Sequence, residues 1–409
     1  MQTSLQESFR NTFAGQEAET ILRKCVHCGF CNATCPTYQL LGDEADGPRG
    51  RIYQIKEMLE GAPVSQLTRQ HLDRCLLCRA CETTCPSGVN YSRLYEIAGE
   101  FQQQAARPVL DRLRRWLVQA VLPYPPRVRL MVKLATVVKA FLPDRLHRQL
   151  PEIQHAQQWP DQNHPRKVIL HEGCIQSVVE PNINVATAKV LDSVGISIIR
   201  TAPVACCGAL HQHLSSLQQA RTMARANIDQ WWPHITAGAE AIVSNASGCG
   251  MMLQDYPQLL KDDVDYAEKA RIVADRSHDI VQLIQHETIH LNINSDEKVV
   301  FQSPCSLQHG LQLSGEVERL LLNAGINLVT PEDSHLCCGQ AGSYSLLQSA
   351  ISEQLLDNKL KALSRSNPDY ILTANIGCLL HMKASTTIAV MHWIEYIEGK
   401  LESVVTEGK

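Results

Sequence analysis

The sequence predicts an α+β chain of several domains, in which a helical, cysteine-rich N-terminal domain precedes a duplicated α/β unit. Two equally spaced tetracysteine runs and a long internal repeat predict this organisation, and 409 residues exceed what one typical domain holds. We expect four segments: a helical domain with two cysteine motifs at 1–107, a basic helical segment and linker at 108–165, and two repeats at 166–290 and 291–409.

The composition is ordinary for a globular protein that is not exported. Apolar residues make up 44% of the chain and charged residues 20%, and the net charge of −4 gives no attraction to nucleic acid. The N-terminus, "MQTSLQESFRNTFAG", lacks the apolar core of a secretory signal, so we expect a cytoplasmic chain with reduced cysteines. Sixteen cysteines in such a chain indicate metal binding.

Both tetracysteine runs, at 25–36 and 75–86, read C-x2-C-x2-C-x3-C-P. In ferredoxins that hold two clusters, the fourth cysteine of such a run ligates the other cluster. We therefore predict two [4Fe-4S] clusters, the first on Cys25, Cys28, Cys31 and Cys85, and the second on Cys75, Cys78, Cys81 and Cys35. Structural zinc is the alternative, although zinc ribbons separate two C-x2-C pairs by about 15–20 residues.

A helix is predicted between the two runs. Apolar residues recur at helical spacing after the breaker "DGPRG", so the helix should begin near Arg49 and end at Gly61. Arg49 and Arg51 are expected in a solvated first turn, and the alternative is that they tune a cluster or face a partner. This insert resembles the α-helical ferredoxin domain of succinate dehydrogenase iron–sulfur subunits.

The segment 108–150 carries nine Lys or Arg residues against two Asp. Its apolar spacing predicts two or three amphipathic helices, broken at "PYPP". Such a stretch can dock on an anionic membrane or a partner. It can equally pack on the N-terminal domain with its arginines in water. Its longest apolar stretch, around 129–143, is broken by Lys133 and Lys139 and is too short and too charged to span a bilayer.

The second half of the chain repeats itself. "KVILHEGC" at 167–174 matches "KVVFQSPC" at 298–305, and "ACCGA" at 205–209 matches "LCCGQ" at 336–340. Each unit alternates strands and helices and should end in a strand that carries Gly-Cys, which indicates a parallel sheet with ligands at its carboxyl edge. The cysteines expected there are Cys174, Cys206, Cys207 and Cys249 in the first unit, and Cys305, Cys337, Cys338 and Cys378 in the second.

The repeated Cys-Cys-Gly pattern resembles the cysteine-rich (CCG) domain of heterodisulfide reductase subunits. Together with the two tetracysteine runs, it makes the whole chain similar to the iron–sulfur subunits of bacterial glycolate oxidase, including "CVHCGFCNATCPTYQLLGDE" and "DSHLCCGQAGSY". The iron–sulfur subunits for lactate utilisation and for anaerobic glycerol-3-phosphate dehydrogenase are similar too.

The CCG sites depart from the fuller form of that domain, which ends in C-x-x-C. Met252 and His381 stand where fifth cysteines would follow. The first site therefore has at most four thiolates, and the second has four thiolates and an imidazole. Zinc, a further cluster and bare structural thiols stay open, and Cys305, Cys337, Cys338 and Cys378 are tentative metal ligands.

The resemblance implies an electron-transfer subunit without catalytic residues of its own. No G-x-G-x-x-G or Walker motif is found, so FAD is expected on partner glycolate oxidase subunits only. They would oxidise glycolate, and as a second candidate D-lactate. Electrons would pass to a quinone or another membrane acceptor, with the chain held peripherally on the cytoplasmic face of the inner membrane.

Three alternatives remain. They are heterodisulfide-reductase-like redox chemistry at the CCG sites, the equivalent subunit for lactate or glycerol-3-phosphate oxidation, and a CCG half that is a zinc-stabilised docking module. "HETIH" at 286–290 matches a metalloprotease string, and we interpret it as a chance match because no third ligand is evident.

Overall fold

The computed structural model describes residues 1–102, 106–139, 154–291, 293 and 296–401. Among these, the N-terminal domain is entirely helical, which confirms the predicted class. Its helices are Glu7–Arg10, Phe13–Lys24, Pro36–Leu41, Pro48–Leu59, Gln66–Asp73, Ala80–Thr83 and Tyr91–Gln102, with 3-10 turns at Phe30–Asn32 and Glu44–Asp46. The predicted helix between the tetracysteine runs is thus present as Pro48–Leu59.

Three helices form the core of this domain. Leu22, Ile55 and Leu94 are buried where Phe13–Lys24, Pro48–Leu59 and Tyr91–Gln102 meet. The proline in the first turn of the middle helix lacks an N–H that would be unpaired there in any case. This core carries both cysteine loops on its surface.

Two helices, Val109–Val121 and Pro125–Lys139, form a hairpin beside the N-terminal domain. The break falls at the predicted "PYPP". Val128 and Val132 of the second helix are buried against Val178 and Val179 of the first repeat, so the hairpin also contacts the repeat half. The third helix considered for this segment lies outside the described residues.

Each repeat contains a parallel sheet, as the sequence predicts, but the sheet has four strands and not three. The strands of the first are β1 (Arg166–His171), β2 (Ile196–Ile199), β3 (Ala241–Ser244) and β4 (Ser277–Asp279), in the order β2-β1-β3-β4. The second has β5 (Val299–Gln302), β6 (Leu328–Val329), β7 (Tyr370–Thr373) and β8 (Ala389–His392), in the order β6-β5-β7-β8. The edge strands β4 and β8 were not expected. β4 consists of three polar residues, and β8 lies beyond Cys378, where the matched segments of the repeat end.

Helices cover both sheets. In the first repeat they are Gln176–Val179, Asn182–Ser193, Ala209–His213, Leu217–Thr236, Ser247–Gln254, Tyr256–Leu259, Ala267–Asp275 and Ile280–Ile284; in the second they are Glu316–Asn323, Tyr344–Leu347, Ser349–Ser364, Ile376–Lys383 and Trp393–Glu398, with a π-helical turn at Ser306–Gly310. One expectation was wrong: Cys249 and Cys378 lie in the first turns of helices and not at strand ends, since β3 and β7 stop earlier.

The two repeats pack against each other beyond the ends of β3 and β7. The Ser247 hydroxyl lies 2.7 Å from that of Ser306, and the buried His392 donates from Nε2 to the backbone oxygen of Asn245 at 2.8 Å. The carboxyl edges of both sheets therefore border one shared space. No helix of the described residues is long and apolar enough to cross a membrane.

Candidate iron–sulfur sites and the CCG cavity

The first thiol nest is made by cysteines from both tetracysteine runs. Cys25, Cys28, Cys31 and Cys85 line one cavity, as the crossed assignment requires. Gly29 turns the loop with φ +85°, a backbone conformation that favours glycine, and a Cβ there would stand 3.2 Å from Arg49 Nη1. The loop thus places three thiols close together and leaves room for the fourth from the other run.

The second nest has the reciprocal composition. Cys75, Cys78 and Cys81 line a cavity together with Cys35. The backbone N–H of Leu77 donates to Cys75 Sγ at 3.4 Å. Because Cys81 borders both cavities, the two nests adjoin.

Four thiols close together can hold a [4Fe-4S] cluster, and four cysteines are also a donor set for structural zinc. Burial and the neighbouring Cys25 raise the pKa of Cys31 to about 11, so the nest resists ionisation unless positive charge enters it. Thiolates are the ligands of [4Fe-4S] clusters. The donor set therefore fits the predicted cofactor, while the ligand assignment itself stays a prediction.

Arg51 corrects the expectation of a solvated helix start. Its side chain is 1% exposed and donates to the backbone oxygen of His71 at 2.8 Å and to Thr37 Oγ1 at 3.1 Å, with Asp46 at 3.5 Å. Burial opposes the charge of Arg51. The neighbouring groups, of which Cys75 contributes most, together outweigh burial and raise the pKa of Arg51. A permanent cation thus stands behind the second nest. Arg49, by contrast, is partly exposed and pairs with Glu44.

The two nests differ in their access to solvent. Cys28 is exposed, and the neighbouring Val26 and Phe30 are 67% and 63% exposed, so the first nest lies at the surface. The loop of the second nest is covered by the second repeat, where Leu76 packs in one buried cluster with Cys337 and Tyr344. The chain thus has one outward and one inward thiol nest.

The CCG cysteines of both repeats share a cavity of about 210 Å³. Leu76, Leu77 and Cys78 of the second nest's loop complete its wall. The cysteines that line it are Cys174, Cys206, Cys207, Cys249, Cys305, Cys337, Cys338 and Cys378. The structure therefore brings together all the thiols predicted at the two carboxyl edges, and sets them beside the second nest.

In the first repeat a histidine joins the thiols. Cys174 Sγ and Cys206 Sγ are 3.5 Å apart, and the ligand atoms of His171, Cys207 and Cys249 all lie within 4.8 Å of one another. Hydrogen bonds from Cys207 and His171 lower the pKa of Cys249 to about 6. Sequence reasoning missed His171. The second repeat has Gln302 at the matching position of the aligned segments, so the repeat gave no signal for a ligand there.

The second repeat pairs the equivalent thiols in the same way, but its histidine lies elsewhere. Cys305 Sγ lies 3.9 Å from Cys337 Sγ, and Cys338 Sγ lies 3.1 Å from Cys378 Sγ. His381 Nε2 is 3.1 Å from Ser352 Oγ, so the imidazole considered as a ligand has a protein partner. Lys359, which sequence reasoning missed, is buried nearby, and burial lowers its pKa. Its position on the leucine-rich face of Ser349–Ser364 was the available signal.

The "HETIH" string does not form a site in the part of the chain that the structure describes. His286 and His290 are exposed, and Glu287 forms an ion pair with Arg166 at 2.8 Å.

Comparisons with known proteins agree with this architecture. The family described as "4Fe-4S dicluster domain" matches residues 21–89, and the family described as "Cysteine-rich domain" matches residues 168–254 and 299–383. The "Glycolate oxidase iron-sulfur subunit" of Escherichia coli (strain K12) is 49% identical over 405 residues, which cover 98% of this chain and all of the relative. The chain belongs to the glycolate oxidase iron–sulfur subunit family.

One further relative supports this family, and two more distant proteins share part of the sequence or the fold. The "Probable glycolate oxidase iron-sulfur subunit" of Bacillus subtilis is 31% identical over 92% of each chain. The "Lactate utilization protein A" of Bacillus licheniformis is 25% identical over 57% of this chain and all of its own length. A hypothetical protein from Helicobacter pylori, known from a crystal structure, shares the fold alone, with a TM-score of 0.54 at 10% identity over 95% of this chain and 72% of its own.

Proposed function

We propose that the chain carries electrons from the FAD of partner subunits, which oxidise glycolate, to a quinone or another membrane acceptor. Family membership supports the complex and its substrate. Oxidation of a hydroxy acid removes two electrons, which a flavin can take up together. When bound, each [4Fe-4S] cluster accepts and releases one electron at a time. D-lactate is a second substrate candidate, supported by the lactate utilization relatives.

The exposed side of the first nest is the proposed contact for the flavoprotein. Val26 and Phe30 present apolar side chains to solvent on either side of Cys28. An apolar patch around an accessible cofactor site is typical of a docking surface for a transient redox partner. Electrons would enter the chain here because the second nest is enclosed by the repeats.

The inward nest is the proposed exit. Cys78 borders the CCG cavity, so its thiol lies on the same wall as those of Cys305 and Cys337. The CCG thiols are proposed to bind further metal, zinc or a cluster, for which the His171, Cys207 and Cys249 group is the clearest donor set. The chain itself is proposed to act peripherally at the cytoplasmic face of the inner membrane.

One observation carries this proposal: of the two adjoining nests, the first is open to solvent and the loop of the second is covered by the repeat half. The test uses anaerobically purified chain mixed with its flavoprotein subunits and glycolate, and follows reduction of the clusters by EPR. Val26→Glu with Phe30→Glu should slow that reduction about tenfold or more, because charge replaces the apolar contact.

The matched control is Val264→Glu, since Val264 is 97% exposed and remote in sequence from the nests. Equal rates for the double variant and the control would contradict the entry surface. Failure of glycolate to reduce the unaltered chain through any flavoprotein would contradict the proposed function.

Thiol–disulfide chemistry at the CCG sites is the second candidate. It is favoured by the 3.1 Å separation of Cys338 Sγ and Cys378 Sγ. Oxidation of this pair would form one S–S bond and release two electrons and two protons, with a disulfide substrate as the acceptor. Disulfide reduction by the isolated chain, without any flavoprotein, would support this candidate over the first.

A further inference from the structure

In the hairpin of Val109–Val121 and Pro125–Lys139, the first helix contacts the rest of the protein through polar side chains. Arg115 of the first helix pairs with Asp73 at 3.1 Å, and Gln119 accepts from the Ser216 hydroxyl at 2.9 Å. Asp111 faces the same way, bonded to Arg107 and Arg115. The first helix thus attaches to the body through its polar side, the reverse of an ordinary surface helix.

The apolar side of the first helix faces solvent. Leu110 is 59% exposed, Leu113 49%, Trp116 62% and Leu117 46%, and the helix has no buried residue. Of the eighteen exposed large hydrophobic residues recorded for the described chain, nine lie between Val109 and Leu134. Scattered apolar residues are normal on a surface, but a concentration of this kind marks an interaction site.

The second helix extends the same surface. Its buried side, at Val128 and Val132, holds the hairpin on the first repeat. Leu130 and Leu134 lie about half a turn away from that side and are both 59% exposed. The two helices therefore share an outward apolar face that the described residues leave uncovered.

Basic residues border this face. Arg112 and Arg114 are exposed and fall on opposite edges of the apolar arc of the first helix. The second helix adds exposed Arg127, Arg129 and Lys133. Asp111 is the only acid between 109 and 136 and is already paired, although the whole chain has a net charge of −4. Positive charge is thus concentrated where the apolar side chains are.

We propose that this face, the outward side of 109–136, lies flat on an anionic lipid bilayer. Leucine and tryptophan on one side with arginine along the edges are the features of an interfacial helix, which enters the headgroup region without crossing the membrane. The inference deepens the proposed function, because it rests on a membrane acceptor. Leu122 and Pro123, which join the helices, also line the CCG cavity, so the docked face would bring that cavity close to lipid.

Vesicle flotation of the anaerobically purified full chain tests the proposal. Vesicles of phosphatidylglycerol should carry the protein upward, and vesicles of phosphatidylcholine should carry much less. Leu113→Gln with Trp116→Gln should weaken binding about tenfold or more, because two side chains no longer enter the lipid. Arg112→Glu with Arg114→Glu should also reduce binding and its salt dependence. Leu322→Gln is the matched control, since Leu322 is 55% exposed on another helix.

Flotation of the Leu113 and Trp116 double variant equal to that of unaltered chain overturns the proposal. If that variant also loses co-purifying flavoprotein subunits, this face is a protein interface. Iron content and cluster reduction by the flavoprotein should be unchanged in the variant. Their failure in unaltered chain would count against the proposed function and not against lipid docking.

Discussion

Replacement of Cys85 by serine tests the exchange of ligands between the two runs. In the structure Cys85 borders the cavity of Cys25, Cys28 and Cys31, fifty or more residues away in the chain. The variant should therefore lose the cluster held by the first run, while the second run keeps its own. Iron should fall by about four per chain, because one of the two four-iron groups of the N-terminal domain loses a ligand.

Iron analysis alone does not say which cluster is lost, so reference variants are needed. Cys28→Ser affects only the first nest and Cys78→Ser only the second. The EPR spectrum of reduced Cys85→Ser should match that of Cys28→Ser, and the spectrum of Cys35→Ser should match that of Cys78→Ser. If Cys85→Ser instead matches Cys78→Ser, each run holds its own cluster and the crossed assignment is wrong.

Three further predictions concern single buried groups. Arg51→Met should lower the free energy of unfolding by about 2 kcal/mol, measured by denaturant titration, because the backbone oxygen of His71 loses its buried donor while Asp46 keeps Arg74 at 2.8 Å; an unchanged value would contradict this. Burial lowers the pKa of His392 to about 4, below the unfolded value of about 6.5, so stability relative to His392→Gln should fall by up to about 3 kcal/mol as pH drops through that window. A difference that stays flat with pH would refute this. Metal in excess of about eight irons per chain should fall in His171→Ala and not in His381→Ala; equal losses would remove the distinction between the repeats.

Much of the fold could be predicted from the sequence because it depends on local sequence patterns. The spacing of the tetracysteine runs, the helix Pro48–Leu59 and the duplicated parallel sheets each follow from residues close together in the chain. The short strand β4 contains no apolar residue that could give such a pattern, and β8 lies beyond Cys378, where the matched segments of the repeat end. Their place at the sheet edges is fixed by pairing with distant strands.

The candidate sites were accessible only in part. The spacing of the cysteines indicated their role directly. His171 and Lys359 could not be recognised in this way, because the fold brings them close to cysteines that are distant in the sequence. Helical periodicity revealed that 109–121 is amphipathic, yet it could not say which side faces inward. That orientation is decided by ion pairs with Asp73, far away in the sequence.

The loop of the inward nest is fastened to both repeats. Arg79 forms an ion pair with Asp255, and Thr83 Oγ1 lies 2.8 Å from His309 Nδ1. The position of Cys78 therefore depends on contacts with both halves of the C-terminal region, so the geometry of the second nest is coupled to the docking of the repeats.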